Sequence, residues 1–245
     1  MNIKHLACFA ALAAPVVANA DTLSLSVGGG AWNVSPTGNF QKTTDTIAVD
    51  VENDLFWDEE SQGYLFITLE HPIPIIPNVR LMQTKIDNSG SGAATFTFDG
   101  QPFTGNVSND FSLEMTDIIA YYEILDNVVS FDLGLSVRQL KIDYNIVETT
   151  TPSVTTDSVS ETIPMVYALL GGSPWPDLTI SGEISYVTFE GSTISDITAK
   201  IAYTTNFFVG FEAGVRKLSI ELDDASGTDA DLEFDGVFAG AYVKF

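Results

Sequence analysis

The sequence predicts an all-β fold, a transmembrane antiparallel β-barrel of ten strands, and three observations predict it. The first is the end of the chain. Val237, Ala239, Ala241, Val243 and Phe245 alternate with Gly236, Phe238, Gly240, Tyr242 and Lys244, so a two-faced strand runs flush to the carboxyl terminus. Chain ends usually fray. A strand that holds to its last residue needs partners on both edges, and a closed barrel supplies them. The second is the repetition of alternating apolar segments of roughly ten residues between polar, Gly-rich loops, the length a tilted strand needs to cross a bilayer. No run of roughly 18 apolar residues follows Ala20, so no membrane helix competes with this reading. The third is the order of the connections, in which longer loops alternate with tight turns.

The front of the chain fits that setting. Lys4 and His5 make a basic start, Leu6 to Val17 is apolar apart from Pro15, and Ala18-Asn19-Ala20 is a small-x-small cleavage site. Residues 1–20 therefore read as a cleaved secretory signal peptide and residues 21–245 as the barrel. The apolar stretch is too short to span a membrane as a helix. The single cysteine, Cys8, lies inside that stretch rather than after it, which argues against a lipid anchor. Residues 21–245 hold no thiol for a disulfide or for catalysis.

Acidity bounds the partners. The chain has 33 Asp and Glu against 10 Lys and Arg, a net charge of −23, which becomes −24 without Lys4. Nothing in that balance neutralises phosphates, so nucleic acid is excluded. Much of the acid lies in loops, at Asp45, Asp50, Glu52, Asp54, Asp58-Glu59-Glu60, Asp223-Asp224, Asp229 and Asp231. A solvated surface explains it; divalent-cation binding beside anionic headgroups is the sharper alternative, although Asp223–Asp235 lacks the spacing of an EF-hand loop.

Strand one covers about Thr22–Asn33, with Leu23, Leu25, Val27, Gly29 and Ala31 on one face. A long loop runs to about Ser61, where Phe56 and Trp57 read as interfacial girdle residues or as outer contact residues. Strand two covers Gln62–Glu70. The three prolines of His71-Pro-Ile-Pro-Ile-Ile-Pro77 cannot donate to a ladder, so this is a rigid turn. Strand three covers Val79–Asn88, and the stretch to Asp110 reads as a loop within which Thr95–Phe98 can extend a strand. Without strands two and three, which alternate least, eight strands remain.

Strand four, Phe111–Leu125, turns at Asp126-Asn127 into strand five, which alternates most cleanly. There Val129, Phe131, Leu133, Leu135 and Val137 read as lipid-facing, and Ser130, Asp132, Gly134, Ser136 and Arg138 as lumen-facing. Past Gln139 the apolar set changes parity to Leu140, Ile142, Tyr144 and Ile146, a slip produced either by a bulge or by a strand leaving the membrane. Thr149–Ser160 reads as a loop tip. Strand six covers Thr162–Gly171, with a turn to Pro176; strand seven Leu178–Phe189; strand eight Ile194–Thr204; strand nine Phe207–Leu222; and strand ten Leu232–Phe245. Tight turns follow strands two, four, six and eight, which assigns them, with both termini, to the periplasm.

The basic-apolar leader, Val27-Gly-Gly-Gly-Ala-Trp32, the His71–Arg80 turn and the Tyr-Val-Lys-Phe245 end together resemble a family of small outer-membrane β-barrel proteins of Gram-negative bacteria, marked by a Gly-Gly pair near the N-terminus and loosely OmpW-like. The resemblance implies an outer-membrane location and partners in membrane lipid, lipopolysaccharide and the barrel-assembly machinery, with Val243 and Phe245 in the assembly signal. It implies no assigned activity, so no functional residue transfers.

Function then rests on the lumen. The inward parity collects Glu114, Asp132, Arg138, Glu183, Lys200, Glu212 and Arg216, with Arg80 beside them. Bare charges in a narrow barrel cost several kcal/mol each, so they pair or stay hydrated. Paired, they plug the barrel; hydrated, they line a narrow path for small solutes or ions. The one histidine after residue 20, His71, sits in a predicted periplasmic turn, which leaves an outer-face catalytic site without a base of that type. The chain reads as a non-enzyme without metal or cofactor, either a narrow channel or a structural and interaction barrel.

Overall fold

A computed structural model describes residues 23–149 and 154–245; the predicted signal peptide, Cys8 and part of the Thr149–Ser160 tip lie outside them. The strands are β1 (Ser24–Lys42), β2 (Val49–Asp50), β3 (Glu60–Glu70), β4 (Asn78–Phe98), β5 (Gln101–Asp126), β6 (Val129–Glu148), β7 (Val154–Trp175), β8 (Leu178–Phe189), β9 (Ser192–Thr204), β10 (Val209–Ala225) and β11 (Thr228–Lys244). β2 is a two-residue ladder on the upper part of β1. The other ten form one antiparallel barrel, each paired to its neighbour in sequence, with β11 returning to β1. Ten strands, not eight, close the ring.

The seam uses the last residue. Leu25 N donates to Phe245 O at 3.1 Å, and Phe245 N to Leu25 O at 2.8 Å. Followed partner by partner around the wall, Leu25 leads through Leu69, Val79, Ala120, Leu135, Val166, Tyr186, Ser195, Ser219 and Glu233 back to β1 at Thr37. The ladder climbs from position 25 to position 37 in one circuit, and strands in barrels of this kind tilt by about 40°.

Around the terminal half, the outward side chains form an apolar belt: Leu65, Ile67, Leu81, Leu133, Leu135, Ile201 and Val215 are all exposed, Leu135 by 67%. A belt of that continuity suits lipid, not water. Aromatic residues gather at its lower edge, with Trp175, Phe207, Phe208 and Phe245 all exposed.

Higher up, the two faces exchange chemistry. On β6 the register to β5 is continuous from Leu133 to Glu148, so no bulge follows Gln139. Arg138, Leu140 and Ile146 are all buried inside, while Gln139 and Lys141 face out. β10 does the same where Arg216 gives way to Leu218 and Ile220. The strands have left the belt, their outer faces meet water, and the apolar residues now point inward.

The strands are therefore longer than the sequence predicts. The Gly, Ser and Asn stretch before Asp110 is a hairpin of β4 and β5, turning at Asp99-Gly100 with φ of 53° and 69°. Segment 43–58 is not an open loop. Val49, Val51, Leu55 and Trp57 are buried against the inner wall. Gly90 permits this approach, since a methyl there would meet Leu55 O at 1.8 Å.

Candidate functional site

Four cations and four carboxylates pair in the belt region of the lumen, in three groups. Arg138 on β6 grips Asp117 on β5 through Nε at 2.7 Å and Nη2 at 3.1 Å, then reaches across to Asp196 on β9 at 2.6 Å. Arg216 on β10 holds the same Asp196 through Nε at 2.9 Å and Nη2 at 2.7 Å, and its Nη1 donates to Thr84 on β4 at 3.0 Å. Trp32 lies beneath that guanidinium, 4.7 Å from ring centroid to carbon.

Nearer the terminal end, Arg80 on β4 meets Glu183 on β8 at 2.7 Å, and Tyr167 donates to the same carboxylate at 3.1 Å. Lys200 and Tyr64 both donate to Glu212, at 3.2 and 2.7 Å. The forked, charge-assisted geometry offsets the desolvation that burial imposes on each ion. A void of about 20 Å³, room for one water, lies among Arg80, Glu183, Lys200, Glu212 and Arg216.

Most residues singled out from the sequence meet here: Arg80, Arg138, Glu183, Lys200, Glu212 and Arg216. Asp132 also points inward but takes no part in the pairs, and its Oδ1 has no hydrogen-bond partner. Glu114 does not face the lumen. It lies on the outer face between Lys85 and Lys141, its register neighbours on β4 and β6. Its inward neighbours Leu113 and Met115 are apolar because β5 has already risen above the belt there, so reading polar parity as inward fails.

Asp117 and Asp196 escaped the sequence reading. Asp196 shares parity with Lys200 and was legible; Asp117, flanked on its own face by Met115 and Ile119, was not. His71 stays in the terminal-end turn, where Nδ1 accepts from Ile73 N at 3.3 Å and Nε2 lies 3.2 Å from Pro77 O.

Above the network the barrel opens into an apolar cup of about 1300 Å³. Phe111, Leu140, Ile142, Ile194, Ile220 and Phe234 line it from the strands, and Leu55 and Trp57 from the inturned segment. Trp57 is only 5% exposed, tilts against Phe111 at 4.5 Å and donates to Asn109 Oδ1 at 2.7 Å. It belongs to the cup wall, not to an interfacial girdle.

The cup wall is uneven. β7 pairs with β8 no higher than Val166 with Tyr186, yet β7 continues along β6 up to Val154. Pro164, with no N–H for a ladder, follows just past that last pair. β8 and β9 turn back early, at Glu190-Gly191, leaving a notch between β7 and the β10–β11 hairpin. That hairpin is braced by Asp229, whose carboxylate accepts from Asp224 N at 2.8 Å and Gln41 Nε2 at 3.1 Å. Those two contacts, the backbone one first, hold the Asp229 carboxyl below its usual range. Among the described residues, no group of three or more His, Cys, Asp or Glu side chains is arranged to hold a metal ion.

Comparison with known proteins speaks to the fold. No protein-family model matches the chain, and no curated protein matches it. Among solved structures, the outer membrane protease OmpT from Escherichia coli aligns with a TM-score of 0.56 at 8% identity, over 91% of this chain and 97% of its own. Ail, the attachment invasion locus protein of Yersinia pestis, aligns at 0.38 with 11% identity, covering 92% of this chain and 100% of its own. OprG from Pseudomonas aeruginosa aligns at 0.36 with 11% identity, covering 91% and 96%. The last two scores carry no further weight; with the first, the chain has the fold of an outer-membrane β-barrel protein.

Proposed function

We propose that this protein captures apolar or amphipathic small molecules from outside the cell in the cup of a barrel whose lumen is closed. One observation carries the proposal: an apolar cavity of about 1300 Å³ stands directly above a paired charge network, among whose lower members lies a void of only about 20 Å³. Small-molecule sites are concave, mostly apolar and about 300–1000 Å³, and the cup exceeds that range while remaining open to solvent. Water in such a space gains few hydrogen bonds, so an apolar ligand that displaces it is favoured.

In this reading the termini are periplasmic and the tall hairpins extracellular. The outward pairs Lys85–Asp87, Lys141–Asp143 and Lys217–Glu233 then stand at the level of lipopolysaccharide headgroups. The notch beside Pro164 is the way in. Val243 and Phe245, at the seam, are what the assembly machinery reads. The four-against-four pairing within the network supports a plugged barrel over a narrow channel.

The test is methyl-resolved NMR of the refolded protein in zwitterionic nanodiscs, titrated with decanol. Methyl shifts at Ile142, Ile194 and Ile220, beyond those at the belt residues Ile118 and Ile197, are expected. Shifts confined to the belt would mean partition into lipid and would end the capture reading.

A further inference from the structure

We infer that the cup selects cationic amphiphiles, molecules with an apolar body and an ammonium or guanidinium head. The inference rests on the capture reading and names its ligand class. The cup lining is apolar at depth, but its charges are concentrated at the opening and are nearly all of one sign. Three carboxylates border the notch from three sides: Glu161 on β7, Glu190 at the β8–β9 turn and Asp223 on β10.

Asp223 is held there by the fold. Its amide donates to Ser192 Oγ at 3.1 Å, and its carboxylate lies against Gly191, where a methyl would meet Oδ2 at 2.5 Å. Asp224 adds another acid to the lining. The one cation among the lining residues, Lys42, donates to Thr228 Oγ1 at 3.1 Å.

An apolar tail inserted past Pro164 and Phe189 leaves its head at these carboxylates. A carboxylate or phosphate head meets repulsion there, a hydroxyl gains little, and an ammonium gains the summed attraction of several acids. Each exposed pair is weak, so the preference comes from their number and from the low-dielectric wall behind them. It also screens with salt, because the groups are solvated.

The experiment compares decyltrimethylammonium, decanol and decanoate on the full refolded chain in zwitterionic nanodiscs, read at the cup methyls. The ammonium is expected to bind about tenfold more tightly than decanoate, about 1.4 kcal/mol, with decanol between them. Raising the salt concentration should shrink that ratio. The combined variant Glu161→Gln, Glu190→Gln and Asp223→Asn should bring the two ions within about twofold while leaving decanol unchanged.

Equal affinities for the two ions, tighter binding of decanoate, or an ammonium affinity indifferent to salt would overturn the inference while capture stands. Failure of all three probes to move the cup methyls would overturn capture itself, and this inference with it. The salt series needs only the unaltered protein, so the outcome does not depend on the variant folding.

Discussion

Arg138 is the side chain on which the proposed plug turns. It is 2% exposed and carries contacts to two carboxylates from opposite walls, Asp117 and Asp196. Its inward position was legible from the alternation of Asp132, Ser136 and Arg138 against Leu133, Leu135 and Val137. Its partners were not, because a partner across a lumen has no fixed sequence offset. Arg138→Ala leaves Asp117 buried without its cation and Asp196 with Arg216 alone, and removing one member of a buried pair typically costs about 3–5 kcal/mol. Arg138→Lys keeps the charge but loses the fork that reaches both acids, so it should fall between Ala and the native residue. Urea unfolding from lipid vesicles, followed by tryptophan fluorescence, measures both; a midpoint unmoved in Arg138→Ala would mean that the pair contributes nothing.

At the scale of the elements, the strand count was written in the alternation, but the strand lengths were not. A strand that leaves the membrane keeps its geometry and loses its lipid. Its apolar residues then change sides, and the pattern imitates either a bulge, as after Gln139, or a loop, as before Asp110. Segment 43–58 hid for a different reason: Val49, Val51, Leu55 and Trp57 share parity, but the acids Asp50, Glu52, Asp54 and Asp58 among them and the turn that interrupts the run make the stretch read as a loop. Gly90 makes that contact possible. Gly90→Val places a branched side chain where Leu55 O now sits, so the segment must lift from β4. Trp57 should then reach water and lose its bond to Asn109, shifting tryptophan emission to longer wavelength while heat-dependent gel mobility still reports a closed barrel. Unchanged emission would mean that the wall yields instead.

The whole molecule is an amphipathic cylinder whose polarity reverses at the membrane surface. Below it, apolar groups face lipid and charges face each other; above it, charges face water and apolar groups face a cavity. In the proposed plugged barrel, Arg138–Asp196, Arg216–Thr84 and Arg80–Glu183 cross the lumen, and water passes only when those contacts break. Breaking them exposes several ions at once, an opening too costly to be well populated. The refolded chain should therefore be electrically silent in a planar bilayer under a salt gradient, with its fold verified by heat-dependent mobility. Replacing the six together, Arg80→Ser, Asp117→Asn, Arg138→Ser, Glu183→Gln, Asp196→Asn and Arg216→Ser, removes all three crossings without leaving any of the six as an unpaired charge. A ten-stranded interior is only a little wider than the eight-stranded one that side chains can fill, so the expected result is small, discrete steps in the variant and none in the parent. Steps of equal size in both would locate conduction elsewhere than this network, and steady current through the unaltered protein would restore the narrow channel as its function.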